Sequence, residues 1–387
     1  MNGITQFARQ HAGALNIAFW VFLSNQFLEF IILLSNAESY SRLCEWDCPW
    51  YGSIVNYGYD YQAHGHERGD AANWAFFPAL PLVASLLAKL GPWTAQTALV
   101  VVAKLFFFLS IFAFIKFATL YAPRVSPWVA GAVAGLHPYA IYGNVGYTES
   151  MFLFFTCLSF IALKQRRFEA AGLAGAVLSA VRPTGVMFGL AYLLAALRSA
   201  PSAGPLERLR MGFGLLLVPL GLSLFMVFLY YRMGDGLAFS HVQIAWERIP
   251  SNPFKYIEIG IQASDQMAQL WAWMSVLALV MIAYLILIKE HGLAAFSLFA
   301  TLIPLSTGLA AMPRYLLWQA PLLLVIAKCL SISIVTLNGT RGSVASAAAH
   351  SPIWWQRVPL AALALPVSVW GLAAMYQAWL LRESFVV

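Results

Sequence analysis

A carboxylate surrounded by aromatic residues is the strongest chemical signal in the sequence. Asp47 follows Trp46 directly and precedes Trp50 and Tyr51, just beyond the first long apolar run of the chain. Tryptophan and tyrosine favour the membrane–water interface, where the ring is apolar and the polar atom reaches water. Two interpretations fit Asp47: a solvated acid in an aromatic anchoring belt, or a carboxylate held at headgroup level that acts as a general base.

A second acidic residue, Glu149, opens a later apolar run and follows a glycine-containing turn. An acid in the first turn of a helix is stabilised by the helix dipole, and Thr148 or Ser150 would cap such a helix. A structural role is therefore one interpretation of Glu149. The other is that it faces Asp47 as the second acidic group of a site.

Two arginines stand out because they lie in or beside apolar runs. Arg182 interrupts one run in the segment SAVRPTG, and Arg314 begins another in the segment MPRYLLW. A charge flanked by apolar helix is costly in lipid, so it should face a cavity or a partner. Each guanidinium could hold a phosphate through its fork of N–H groups. The alternatives are an ion pair with Glu149 or another acid for Arg182, and snorkelling to the interface, which fits Arg314 better.

A long polar segment, residues 233–268, supplies further candidates. It contains His241, Trp246, Glu247 and Arg248. These residue types suit a cleft for a polar acceptor, although their spacing matches no established motif. We predict that His241 belongs to the substrate cleft.

The histidine and cysteine patterns give weaker signals. His64, His66 and Glu67 form HGHE, but a zinc site needs further placed ligands, so a solvated loop and no metal site are expected. Cys44 and Cys48 in CEWDC could close a disulfide on an oxidising face, or both could be free thiols.

Membrane-spanning helices must position these residues, because the composition excludes other classes. The 387 residues are 61% hydrophobic and only 10% charged, and the mean hydropathy is +0.72. Soluble proteins are about a quarter charged. A soluble enzyme, a disordered chain and a nucleic-acid-binding module are therefore excluded, and membrane lipids are the expected surroundings. The net charge of +7 is typical of a topology signal rather than of an anionic partner.

The apolar runs predict an all-α, polytopic membrane protein with a single domain over residues 1–387 and eleven spans. A spanning helix needs about 20 mainly apolar residues. The run 169–197 is long enough for two short helices, broken at 182–185. The predicted spans are 14–34, 95–119, 126–143, 147–163, two within 169–197, 211–232, 269–288, 293–310, 314–334 and 358–380.

Segment 74–90 is predicted to be an interfacial or re-entrant helix on the outer side instead of a span. It is short and carries two prolines, and counting it as a span would place Lys164, Arg166 and Arg167 outside. Lysine and arginine concentrate on the cytoplasmic side of membrane proteins. The N-terminus is then inside and the C-terminus outside. Outer loop 35–73, helix 74–90 and outer loop 233–268 converge with the shorter outer turns and form part of the active site.

The motifs resemble, in order, those of the PIG-V family of mannosyltransferases, which add the second mannose to GPI anchors. Five short motifs in the same order over most of the chain are more specific than any one of them. The matching segments are 46–59 with WD, WY and GY, 75–82 with AFFP, 137–152 with HP and YTESMF, 182–185 with RPTG, and 314–321 with RY.

The resemblance implies the GT-C membrane glycosyltransferase fold and an inverting transfer of mannose. The implied donor is a polyprenyl-phosphate sugar of the dolichyl-phosphate type, and the implied acceptor is a hydroxyl of a glycolipid, glycan or protein. In that family the acid of the first outer loop is the expected catalytic residue, which is Asp47 here. Glu149 would assist it or orient the acceptor, and Arg182 or Arg314 would lie near the donor phosphate. The substrate cleft would include Trp46, Trp50, Tyr51, Tyr147 and His241.

No cofactor and no essential metal are expected, although acids at the outer face could hold a divalent ion. His137 stands where the family has asparagine before proline, and Pro183-Thr184 replaces its Ser-Asn. These differences indicate a bacterial relative whose acceptor is not GPI. The enzyme would then lie in the inner membrane with a periplasmic site, or in the endoplasmic reticulum if eukaryotic. The alternatives are a GT-C enzyme that uses lipid-linked glucose or arabinose, and a non-enzymatic transporter of lipid-linked sugar.

Overall fold

Helices form nearly all of the regular structure in this computed structural model, which describes residues 2–66, 69–335 and 357–383. The strands within these residues form two short antiparallel pairs, β1 (His64–His66) with β2 (Gly69–Ala71) and β3 (Ser333–Val335) with β4 (Arg357–Pro359). The α-helices are α1 (Asn2–Ser35), α2 (Cys48–Tyr57), α3 (Ala79–Leu90), α4 (Ala95–Tyr121), α5 (Pro127–Gly135), α6 (Glu149–Lys164), α7 (Phe168–Val181), α8 (Phe188–Ser199), α9 (Pro205–Leu217), α10 (Leu220–Met233), α11 (Ala238–His241), α12 (Pro253–Gln262), α13 (Gln266–Leu287), α14 (His291–Leu305), α15 (Met312–Leu316), α16 (Ala320–Leu330) and α17 (Leu360–Leu380).

Five helical segments in the described part of the chain are long and apolar enough to cross a membrane. A sixth arises if α9 and α10, which meet at a bend of 40°, are one broken span. The all-α prediction is confirmed, whereas the count of eleven spans is not. The five segments are Ala12–Ser35, Ala95–Tyr121, Pro183–Ser202, Gln266–Leu287 and Leu360–Leu380.

Prolines explain why several predicted spans contain shorter helices. The predicted span 126–143 divides into α5 and a 3-10 helix over Pro138–Gly143, with His137 extended between them. Proline lacks an N–H group and disfavours the helical conformation in the residue before it. In the same way, Pro321 lies in the first turn of α16, which is separate from α15.

Helix α4 forms the centre of the helical packing. Within its most apolar stretch 61% of the residues are buried, compared with 17% in α17. It packs against α1, α3, α5 and α6. Such a helix contacts protein rather than lipid on most of its sides. Helix α4 therefore supports α6 and the segments next to its ends.

The segment predicted to be the first outer loop, residues 35–73, folds into its own small structure. It contains a 3-10 helix over Tyr40–Leu43, then α2, and then the β1–β2 hairpin. The Asp60 N–H donates to Asn73 Oδ1 at 3.0 Å, and the Asn73 N–H donates to Asp60 Oδ2 at 2.9 Å. Helix α3 follows and has twelve residues, fewer than the roughly 20 that span a bilayer. Its interfacial position stays a prediction.

Candidate active site

A cavity of about 630 Å³ lies where the predicted first outer loop meets the ends of α6, α7, α14 and α15. Its wall combines three arginines, one carboxylate and many aromatic rings. Residues that line it include Trp46, Asp47, Trp50, Tyr51, Phe76, Thr148, Phe152, Arg182, Trp246, Arg248, Ile303, Pro304, Ala310, Arg314 and Tyr315.

Asp47 presents its carboxylate to this cavity from the residue before α2. Its side chain is 20% exposed, and Oδ2 accepts a hydrogen bond from Arg314 Nη1 at 3.0 Å. Its backbone N–H donates to the Tyr147 hydroxyl at 2.9 Å, and that hydroxyl donates to the Glu45 carbonyl at 3.3 Å. Both the backbone and the side chain of Asp47 are therefore held by residues from distant parts of the chain.

A disulfide closes the turn that carries Asp47. Cys44 and Cys48 are bonded, with their Cα atoms 5.0 Å apart, and Trp46 between them has a φ of +58°. Gly146, with a φ of +74°, lies against this disulfide, because a Cβ at that position would come within 2.7 Å of Cys48 Sγ. The two turns, 44–48 and 143–148, are thus packed against each other.

Glu149 is fully buried and binds two arginines. Its Oε1 accepts short hydrogen bonds from Arg182 Nη2 and from Arg314 Nε. Arg182 Nε also donates to Thr148 Oγ1 at 2.8 Å. Glu149 does not line the cavity, so it acts on the site through the arginines that it holds.

Arg314 links the two carboxylates. It is only 7% exposed and donates to Asp47 and Glu149 from two different nitrogens. The rings of Tyr142 and Tyr147 lie 5.2 and 4.7 Å from its guanidinium, which adds cation–π attraction. The snorkelling interpretation of Arg314 does not describe this buried position.

Arg182 reaches the cavity because α7 ends at Val181. Pro183 follows, and Arg182 has an extended backbone with φ of −154° and ψ of 149°, as expected for a residue before proline. Its guanidinium lies 5.6 Å from the Phe152 ring and 5.5 Å from the Tyr315 ring. The break in the apolar run therefore turns this charge toward a polar site.

Aromatic rings form the wall of the cavity on the side of α2. Trp50 stacks on Phe76 at 5.8 Å, and Trp246 meets both rings edge-on at 5.5 and 5.8 Å. Tyr51 contacts Phe76 at 5.0 Å. Burial raises the pKa of the Tyr51 phenol, so this group stays neutral.

Two residues predicted for the cleft lie outside the cavity wall. Tyr147 is fully buried below Asp47. The His241 side chain is 65% exposed, and its Nδ1 lies 2.7 Å from Asp235 Oδ2. Arg248 and Tyr315, by contrast, line the cavity. Arg248 belongs to the polar segment 233–268, whose residue types suit an acceptor cleft, and Tyr315 follows Arg314 in the RY motif. The sequence therefore indicates both segments, although it singles out neither residue.

Few side chains in the structure could bind a metal ion together. Among the residues that the structure describes, no three histidine, cysteine or acidic side chains are grouped as they would be around a metal ion. Glu67 of the HGHE segment lies outside the described residues. The expectation of no essential metal stays a prediction.

Comparison with known proteins finds no matching family model and no matching curated protein. Similar solved structures include the oligosaccharyltransferase of Archaeoglobus fulgidus in complex with zinc and sulfate, with a TM-score of 0.47, 12% identity, and coverage of 93% of this chain and 53% of that chain. Another is oligosaccharyltransferase AglB of Archaeoglobus fulgidus in complex with an inhibitory peptide and a dolichol-phosphate. Its TM-score is 0.48 and its identity 11%, and the match covers 96% of this chain and 56% of that chain. This chain spans about half the length of the proteins it matches. Similarity at this level identifies no family, and the PIG-V resemblance is not confirmed.

Proposed function

We propose that the protein is a GT-C-type membrane glycosyltransferase that transfers a sugar from a polyprenyl-phosphate donor to an acceptor hydroxyl. The observation that carries the proposal is the Asp47 carboxylate. It faces a cavity with three guanidiniums in its wall and is held there by Arg314 and Tyr147. A base beside several cationic groups suits a reaction in which the acceptor hydroxyl loses a proton and a phosphate leaves.

The reaction forms one bond at the anomeric carbon and breaks another, and it moves one proton. The acceptor oxygen attacks the anomeric carbon while the bond from that carbon to the phosphate oxygen breaks, and the electron pair leaves with the phosphate. Asp47 takes the acceptor proton. Attack opposite the leaving group inverts the anomeric configuration, and the guanidiniums stabilise the charge that develops on the phosphate.

Asp47 can hold Arg314 and receive a proton at the same time. Oδ2 accepts the bond from Arg314, whereas Oδ1 has no hydrogen-bond partner among the described residues. The acceptor hydroxyl would donate to Oδ1. A positioned general base contributes about 100- to 10,000-fold to such a step.

Mannose is the proposed sugar because of the motifs that resemble the PIG-V family. Lipid-linked glucose or arabinose would use the same base and the same cations, and a transporter would move the lipid-linked sugar without cleaving it. The acceptor would be a glycolipid, a glycan or a protein, and the active site would lie on the extracytoplasmic face.

The test uses purified protein with polyprenyl-phosphate mannose and a panel of glycolipid, glycan and peptide acceptors, and it measures released polyprenyl phosphate. Wild-type protein should release it, and Asp47→Asn should lower the rate about 100- to 10,000-fold. Glu38→Gln is a matched control in the same loop, since Glu38 forms only a surface ion pair with Arg42.

Wild-type-like turnover by Asp47→Asn would falsify the role of Asp47. Release from a glucose or arabinose donor alone would reassign the sugar, and lipid movement without release would indicate a transporter.

A further inference from the structure

The three arginines in the cavity wall differ in what they bind. Arg182 bonds to Glu149 and Thr148, and Arg314 bonds to Glu149 and Asp47. These two guanidiniums therefore face two carboxylates. Their positive charges are compensated before any substrate enters.

Arg248 has no such compensation. None of the ion pairs within 4.0 Å among the described residues involves the Arg248 guanidinium. Its contacts are a hydrogen bond of 3.3 Å from Nη2 to the Ala310 carbonyl and the Tyr315 ring at 5.7 Å. The cavity thus carries one uncompensated positive charge, and this charge lies on Arg248.

An apolar part of the cavity wall lies close to Arg248, as an amphipathic ligand would require. Ala310, which Arg248 contacts, follows α14, and two residues near the end of α14, Ile303 and Pro304, line the same cavity. Ile303 is 37% exposed, so this part of the wall is apolar and open to the surroundings. A phosphate at Arg248 would have a path for a hydrocarbon chain beside it.

We propose that Arg248 is the main ligand of the donor phosphate and that Arg182 and Arg314 are positioning residues. This inference rests on the proposed function, and it replaces the sequence-based prediction that Arg182 or Arg314 holds the phosphate. A free guanidinium offers two parallel N–H groups to phosphate oxygens. An arginine already bound to a buried carboxylate has to share or break those bonds first.

The experiment measures binding of radiolabelled polyprenyl phosphate to the full-length protein in lipid nanodiscs, with no acceptor and therefore no turnover. Arg248→Gln should weaken binding about 10- to 100-fold, since a hydrogen bond to a charged group is lost. Arg248→Lys should recover part of that loss. Lys255→Gln, which removes the same charge from an exposed position of α12 in the same loop, should leave affinity unchanged.

Two more ligands identify what Arg248 recognises. Inorganic phosphate should compete weakly with the lipid in wild-type protein and lose that ability in Arg248→Gln. The uncharged polyprenol should bind wild-type protein and Arg248→Gln alike. Polyprenyl phosphate affinity that is equal in wild-type protein and Arg248→Gln overturns the inference, and so does a polyprenol affinity that falls as much as that of the phosphate.

Turnover separates this inference from the proposed function. Wild-type protein that binds polyprenyl phosphate through Arg248 but releases none from any sugar donor would contradict the proposed reaction and leave the phosphate site standing. Wild-type protein that releases polyprenyl phosphate, with unchanged donor affinity in Arg248→Gln, would contradict only the role of Arg248.

Discussion

Glu149 matters for the charge balance of the site more than for contact with a substrate. It is fully buried, and one of its oxygens binds both Arg182 and Arg314. Removing one partner of a buried ion pair leaves an uncompensated charge in a poorly polarisable environment. The acid therefore fixes the arginine that in turn fixes Asp47.

Replacing Glu149 by glutamine should destabilise the protein by about 3–5 kcal/mol, because buried Arg314 would keep Asp47 as its one bonded carboxylate and Arg182 would keep none among the described residues. Thermal unfolding in detergent, followed by tryptophan fluorescence, measures the effect. Glu169→Gln is the control, since Glu169 pairs with Arg210 on an exposed surface and its loss should leave the midpoint unchanged. An unchanged midpoint for Glu149→Gln would mean that the arginines find other partners.

At the residue scale the sequence identifies the charged groups but not their pairs. Asp47, Glu149, Arg182 and Arg314 stand out because charge beside apolar helix is costly. Their bonds join positions 33, 165 and 267 residues apart, so only the packed helices bring them together. The uncompensated charge of Arg248 follows only once these pairs are known.

At the scale of elements, the disulfide and α2 position Asp47. Cys48 is the first residue of α2, and its bond to Cys44 closes the turn that contains Asp47. A disulfide that closes a loop of five residues raises the free energy of unfolding by about 2 kcal/mol, because it lowers the conformational entropy of the unfolded chain. The disulfide therefore holds the turn in the shape that aims the carboxylate at the cavity.

Cys44→Ser should lower turnover by about tenfold or more, since a displacement of the base by about 1 Å is costly in such a reaction. Binding of polyprenyl phosphate should be unchanged, because Arg248 lies on another element. Cys329→Ser removes a free, exposed thiol and serves as the control. Equal loss of turnover and of lipid binding in Cys44→Ser would indicate general unfolding instead of a misplaced base.

The helices also carry a polar network that no sequence pattern reveals. Lys104 of α4 forms a buried ion pair with Glu29 of α1 and bonds Gln26 at 2.6 Å, while Tyr376 of α17 donates to Glu29 at 3.1 Å. Asn144 joins this network from the turn that leads to Glu149, accepting from Gln26 at 2.9 Å. Each of these residues is isolated within its own segment, so its partners depend on which helices become neighbours. The network anchors one of the two turns that build the site.

At the scale of the whole molecule, two consecutive helices connect the site with a basic end. Helix α6 begins at Glu149 and ends at Lys164, and α7 returns from Phe168 to Val181, the residue before Arg182. Sixteen residues of α-helix extend about 24 Å. The basic turn between these helices, residues 164–167, therefore lies far from the cavity, on the side that the distribution of lysine and arginine assigns to the cytoplasm.

This separation predicts that the site and the basic turn lie on opposite sides of the membrane. Single cysteines introduced by Glu38→Cys in the first outer loop and by Arg166→Cys in the basic turn can be labelled in intact cells with a thiol reagent that does not cross membranes. The Glu38→Cys protein should react in intact cells and the Arg166→Cys protein only after permeabilisation. The parent protein, with Cys157 and Cys329 replaced by serine, gives the background, because Cys44 and Cys48 are bonded to each other. The reverse pattern would place Asp47 in the cytosol, where a donor carried by the outer leaflet could not reach it.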